Sequence, residues 1–563
     1  MNPLILRGIR ERLRGKHLIA AGLFSLILCS TIYLSAYLEG AEGEWVHDPE
    51  KIDSETQGWH RTESSPINGA RQAFTYLLAL QGFFLMFLGT GRVAAITAEE
   101  KESGLMDYQR MTPMNPFSKI LGYLFGLPAR EYYMFVITLP FLLHCMIVGE
   151  LSPENVLHLY FVFFSSVVLY HLTAHVIGLV VPKPRAASWV SRIVVLGLYI
   201  FLPLFGQAGI SFLSFLTILP TYFGKMLPEL ISLEDSDYGY HRWENEMIDF
   251  WEDVPFFTTE ISPSLFTLIM QGLILAALLI TAYRKWRNES LPAFSKTSGI
   301  IIFTVFQFLL LGSLWPFFAE GKASGLLGET FSLENNSMHA EEGILGLIFV
   351  QSVFFGLSIL GILTLINTCC PDRHLHLKGV QRANRLGLSS IPLSADESRG
   401  TWFALVLSGM VCAVHAILLD QAQKSGLFSS FRVYGLQRNI QIDYGAYLIP
   451  SLLVIACSIY LQAARELWFS LGFWGFVGLL WVTPLLACLV IAVGTAGEQL
   501  ELIAALSSFC PILSLPQILA SQYSIPTPDK IGQALSKGMW TGLVVGFFLA
   551  ANLSFRLYRR SKQ

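Results

Sequence analysis

Residues 96–122 read ITAEEKESGLMDYQRMTPMNPFSKILG. The stretch is polar and charged, yet it lies between two apolar runs, roughly 73–93 and 131–149, each long enough to cross a bilayer. Glu99, Glu100, Glu102 and Gly104 are followed by a Thr112-Pro113 break and a second proline at Pro116. Proline disfavours helix at the residue before it, so Pro113 separates two short helical pieces at Thr112. Gly104 permits a sharp change of direction or a close backbone approach. Leu105, Met106, Tyr108 and Met111 supply apolar contacts, and Asp107, Arg110 and Lys119 a charged rim. The spacing predicts a rigid lever outside the membrane, shaped to be gripped by another protein.

The rest of the chain reads as the scaffold that carries this lever. Of 563 residues, 53% are hydrophobic and 14% charged, against about 25% charged in soluble domains. Apolar runs of membrane length recur throughout, and a transmembrane barrel would show short alternating segments instead. The expected fold is therefore an all-α polytopic membrane protein. A net charge of −3 implies no nucleic-acid partner. The eight cysteines form no CxxC pair, so neither a disulfide framework nor a metal site is indicated. The first apolar run lacks a small-residue cleavage site and reads as a retained helix.

Twelve spans are expected, at about 18–38, 73–93, 131–149, 156–180, 190–222 (broken), 263–283, 300–318, 344–367, 402–420, 445–463, 470–494 and 535–555. Lys and Arg collect in alternate connections, which places both termini in the cytoplasm. The outer connections are acidic: residues 223–262 carry ten acidic side chains against Lys225 and Arg242. Residues 2–17, NPLILRGIRERLRGKH, read as an amphipathic helix on the cytoplasmic surface, with Arg7, Arg10 and Arg14 along one face.

The spans divide into two parallel six-helix halves, 1–287 and 288–563. Each half starts after a basic segment and has its longest inner segment between its second and third helices (96–130 and 371–400). Each has a proline-interrupted apolar region before its last helix: Pro203 and Pro220 in the first, Pro511 and Pro516 in the second. Such interruptions at corresponding places in two repeats point to a gate or a substrate site. Polar candidates within spans include Gln81, His144, Gln271, Gln307, Gln351 and His415. His171 and His175, i and i+4 on one helix face, have the spacing of metal or haem ligands, but packing is favoured because no other ligand lies nearby in sequence.

At residues 96–122 the chain resembles the permease subunits of type-2 ABC transporters. The resemblance rests on Glu100-Lys101-Glu102-Ser103-Gly104, the short helix 105–111, and the turn Thr112-Pro113-Met114-Asn115-Pro116. The basic amphipathic start and the helix order of residues 1–287 are also similar to that family. The second inner segment, 371–400, has no Glu-x-x-x-Gly; it offers Asp372, Arg373, Gly379 and a Ser389/Pro392 turn instead. The resemblance implies an exporter-type permease with no catalytic residues of its own. ATP and Mg would sit on a separate ABC ATPase, docked at Leu105–Met111, with Glu99–Glu102 holding the lever through charge pairs. One chain could pair with two ATPases, and the bacterial inner membrane is the implied location. The residues agree with the missing ATPase: there is no GxxxxGK[ST] loop, and Gly321-Lys322 falls in an expected outer connection followed by Ala323. Two other classes compete. A secondary transporter would place charges within spans, and these hold almost none. A membrane enzyme acting on lipid or haem would need a polar cluster at one face, for which 233–254 is the candidate.

Overall fold

A computed structural model describes residues 2–42, 45–47, 59–61, 64–207, 211–231, 251, 253–289, 291–320, 340–388, 390–425, 432–433, 436–437, 444–468, 470–494, 499–522 and 529–562. The acidic segment 233–254 falls largely outside them, as do Gly321-Lys322 and Ser389. Twelve helices among the described residues are long and apolar enough to cross a membrane, one for each expected span. Strand is confined, among the described residues, to two-stranded pieces such as Trp45–His47 against Trp59–Arg61. The fold is therefore an all-α, multi-pass membrane protein.

The contacts divide the chain into two compact units. One holds 1–206, 211–255 and 259–289; the other holds 207–210, 256–258 and 290–563.

The first unit opens with α1 (Pro3–Arg12), whose Asn2 cap accepts Leu4 N at 3.0 Å. The expected helix over 2–17 is shorter than the sequence suggests. Leu13 leaves helical geometry and Arg14 is extended, so the chain can turn before α2 (Gly15–Ala41) begins. Helix α3 (Pro66–Glu102) starts on a Ser65 cap and Pro66. It contains a π-helical stretch, Phe83–Gly89. The lever α4 (Leu105–Met111) and α5 (Pro116–Gly126) follow, then the spans α6 (Ala129–Val148), α7 (Pro153–Val180), α8 (Pro184–Gln207) and α9 (Pro263–Arg287). Between α8 and α9 the chain forms a single turn at Ser211–Ser214 and a short helical segment, Leu219–Thr221 running through a π-helical stretch, Tyr222–Met226, into Leu227–Leu230.

The core of this unit is built by α3 and α7, 61% and 67% buried over their most apolar windows, against 17% for α2. Phe74, Leu77 and Phe84 of α3 meet Leu159, Phe163 and Tyr170 of α7. Gly178 is required there: a Cβ would stand 2.7 Å from Ala94 O. Small residues at such crossings let helices approach when lipid supplies no hydrophobic driving force between them.

The second unit runs α10 (Lys296–Glu320), α11 (Ala340–Cys369), α12 (Arg373–Arg385), α13 (Thr401–Lys424) and α14 (Tyr444–Leu467). Then come the span α15 (Leu471–Ile491), two short helices, α16 (Leu500–Ser507) and α17 (Pro511–Gln522), and the long α18 (Asp529–Lys562). Span 346–369 is the most buried of this unit at 67%, and α15 the most exposed at 11%.

Candidate functional site

The lever forms where its sequence allows it to. Helix α3 runs unbroken through Glu102 and stops because Gly104 adopts φ 75°, a left-handed conformation that costs glycine little. Thr112 at ψ 146° ends α4, as expected of a residue before proline. Asn115 caps α5 by accepting Phe117 N at 3.0 Å, and Pro116 occupies its first turn.

Glu100 is the hub beneath α4. Its Oε1 lies 3.3 Å from Arg7 of α1, and its Oε2 accepts Gln109 Nε2 at 3.1 Å. The Tyr123 hydroxyl donates to the same oxygen and sits 2.9 Å from Gln109 Oε1. Burial, then the Glu100 charge, pushes the Tyr123 hydroxyl far above its ordinary pKa, so it stays a donor. A cavity of about 330 Å³ opens here between α1, α3 and α5. Tyr123 in turn packs edge-on against Trp286, 5.4 Å between centroids, and Trp286 donates to His175 Nε2 at 2.8 Å. His175 Nδ1 is thereby the protonated nitrogen and reaches Thr97 Oγ1 at 3.1 Å. The hub thus continues into the membrane spans through the ring contact of Tyr123 with Trp286 and the hydrogen bonds of His175.

Two further ties hold α4. Lys119 is buried and donates to Gln109 O at 2.6 Å and Thr112 O at 3.4 Å, clamping the turn at the end of the lever. Burial, then the neighbouring Arg110, lowers the pKa of its ammonium. Glu289, just past α9, takes Lys101 at 2.9 Å and Arg110 at 3.1 Å. These two cations hold the Glu289 carboxyl below its ordinary pKa.

The expected site residues therefore separate. Tyr108, 66% exposed, and Met111, 77% exposed, are presented outward with Pro113. Met106 is not part of that face: it is buried against Ile120, Leu124 and Trp286. Leu105 is half-buried. Of the expected charge pairs, Glu100 and Lys101 form theirs. Glu99 and Glu102 are exposed and make no side-chain hydrogen bond or ion pair among the described residues. Lys119 is a clamp and no rim charge, because its ammonium is drawn inside to the carbonyls of Gln109 and Thr112 at the turn between α4 and α5. Arg7, expected along one face of the amphipathic entry helix, is drawn to Glu100. Sequence reasoning missed Glu289 and Tyr123 altogether. Their signals were faint: an acid directly after the basic exit RKWRN, and a tyrosine one turn beyond Lys119.

His171 and His175 are both buried and hydrogen-bonded to neighbouring elements. His171 Nε2 meets Leu85 O at 3.0 Å, inside the π-helical stretch of α3, and Gly89 leaves room for the ring. Among the described residues no group of three His, Cys, Asp or Glu could hold a metal ion. Of the prolines, Pro220 is buried in the first turn of the short helical segment before α9, Pro511 is buried at the start of α17, and Pro516 lies within α17. Pro203 lies in α8, and its side chain is outside the described residues.

No family model, no curated protein and no solved structure matches this chain. The geometry is what speaks for function.

The second inner segment has a fastening of its own. Lys296, fully buried at the start of α10, donates to Ala395 O at 2.9 Å, Ser398 O at 2.7 Å and Ser398 Oγ at 2.8 Å. Glu466, at the end of α14, accepts Gly400 N at 2.7 Å. Asp372 caps α12 through Leu375 N at 2.9 Å. Leu386 and Leu393 are left exposed.

Proposed function

We propose that this chain is the membrane-spanning permease of an ABC transporter, of exporter type, driven by a separate ATPase that grips α4. One observation carries the reading. A seven-residue helix is broken from a membrane span by a left-handed glycine, wired to the spans through Glu100, Tyr123 and His175, and still presents Tyr108 and Met111 outward. Exposed apolar side chains on a rigid polar element favour a protein partner, because a lone solvated turn has no need of them. The connection from hub to spans favours a partner that does mechanical work over a passive scaffold. Motion of α4 would reach α3 through Glu100 and α7 through His175. The two six-helix halves, cytoplasmic termini and bacterial inner membrane belong to this proposal, as does a second ATPase at residues 371–400.

Purification of the tagged chain from its native cells in mild detergents tests it. A stoichiometric ATPase bearing a phosphate-binding loop is expected, and it should be lost from a Tyr108→Glu, Met111→Glu double variant that still inserts. A chain that purifies alone in every detergent overturns the proposal.

A further inference from the structure

We propose that the second unit carries a site for an anionic phospholipid headgroup, in a cavity of about 300 Å³ where four spans end and α12 begins. The inference does not rest on the transporter reading.

The depth of the cavity comes first. Its lining draws on Pro371, just past α11; Arg399, just before α13; Leu467, the last residue of α14; and Arg560, the end of the apolar span in α18. All four spans finish at this level, which is where hydrocarbon gives way to headgroups. Phe555 and Tyr558 of α18 are 56% and 53% exposed at the same level, as interfacial aromatics are.

The charge comes second. Arg373, Arg399 and Arg560 reach the cavity, with His376 beside them. The side chains of Arg373 and Arg399 make no hydrogen bond or ion pair with any described residue, and Arg399 acts on Glu466 only through space. Arg560 uses one nitrogen on Leu467 O at 3.3 Å, which leaves most of its donors free. Two carboxylates share the lining, but both are engaged by backbone N–H groups: Glu466 by Gly400 and Asp372 by Leu375. Guanidinium forks match phosphate oxygens in pairs, and basic pockets between spans are suited to phosphorylated headgroups.

The shape comes third. At about 300 Å³ the space admits a headgroup and no acyl chain. Leu377, Val380 and Leu557 complete the lining. Leu377 is 49% exposed and offers an apolar path along which chains could leave towards the bilayer. A soluble phosphate would use the arginines and gain nothing from these three residues.

Native mass spectrometry of the delipidated full chain, supplied with phosphatidylglycerol or phosphatidylcholine, tests the site. Wild type should retain phosphatidylglycerol preferentially. The Arg373→Gln, Arg399→Gln double variant should lose about thirtyfold of that preference, since each basic group near an anionic surface contributes about fivefold. Neither side chain has a hydrogen bond or ion pair to lose, only the through-space interaction of Arg399 with Glu466, so the variant's thermal midpoint should change little. The Lys378→Gln, Arg385→Gln variant removes equal charge from α12 outside the cavity and should behave as wild type. An unchanged preference in the first variant overturns the site. So does an equal loss in the second, which would mean diffuse surface charge. Millimolar inorganic phosphate forms the remaining arm. Arginine-dependent phosphate binding without any lipid preference would mark a soluble-anion pocket and overturn the lipid assignment.

Discussion

Single residues decide whether the lever exists. Gly104 has nothing within 4 Å of where a Cβ would stand, so a side chain there meets strain and no clash. Gly104→Ala should cost about 1 kcal/mol through the left-handed backbone alone, and raise tryptic cleavage at Lys101 and Arg110 about fivefold. An unchanged cleavage rate would mean that the turn does not limit opening. Glu100 and Glu102 make a sharper pair, because they look alike in sequence and differ wholly in place. Glu100→Ala strands the Gln109 amide nitrogen and leaves the Tyr123 hydroxyl only Gln109 Oε1 to donate to, and should cost about 1–3 kcal/mol. Glu102→Ala, at an exposed position, should stay within about 0.5 kcal/mol of wild type. Thermal unfolding of the two purified variants compares them, and equal midpoints would remove Glu100 from its role as hub.

At the scale of elements, the attachment of α4 depends on pH. The Glu289 carboxyl is held below its ordinary pKa of 4.5, so its contribution to the attachment is complete above that value. It is lost as pH falls through the lower value of the folded state. Hydrogen exchange of the 101–111 amides should therefore be flat across neutral pH, after correction for intrinsic rates, and accelerate only under acid. Glu289→Gln should show the faster exchange at every pH; protection identical to wild type would show that Lys101 and Arg110 hold without it. Much of this local architecture was legible beforehand. The boundaries of α4 follow from Gly104 and Pro113, since backbone chemistry acts on neighbours in sequence. The partners of Glu100, Lys101 and Arg110 were not legible, because Arg7, Tyr123 and Glu289 reach them across folded space. Met106 and Tyr108 illustrate the same limit. Both are apolar-bodied residues of one short helix, and only packing against α5 and α9 decides which turns inward.

At the scale of the molecule, hydropathy alone located the twelve spans found among the described residues, because a helix in lipid must satisfy its own backbone and be apolar over its length. Hydropathy could not rank them. The second span of each run of six is deeply buried, at 61% and 67%, and the fifth is exposed, at 22% and 11%, though all four are comparably apolar. Small residues such as Gly178 and polar contacts such as Gln81 to Thr138, at 2.8 Å, mark the interior positions instead. Each unit carries its own packed interior. Residues 1–289 expressed alone should therefore insert and keep the tryptic sites at Lys101 and Arg110 as protected as in the full chain. Rapid cutting there would show that the first unit cannot hold its lever unaided.

Lys119 and Lys296 have a consequence for how topology is mapped. Lys119 lies in a connection between spans and Lys296 at the first residue of one, positions whose positive charge is counted when a membrane protein is oriented, yet each spends its ammonium on backbone carbonyls inside the fold. Amine-reactive labels, widely used to tell one side of a membrane from the other, would pass over both while modifying exposed neighbours such as Lys378. Silence at these two positions would report a folded connection, and the same positions would light up on denaturation whichever side they face.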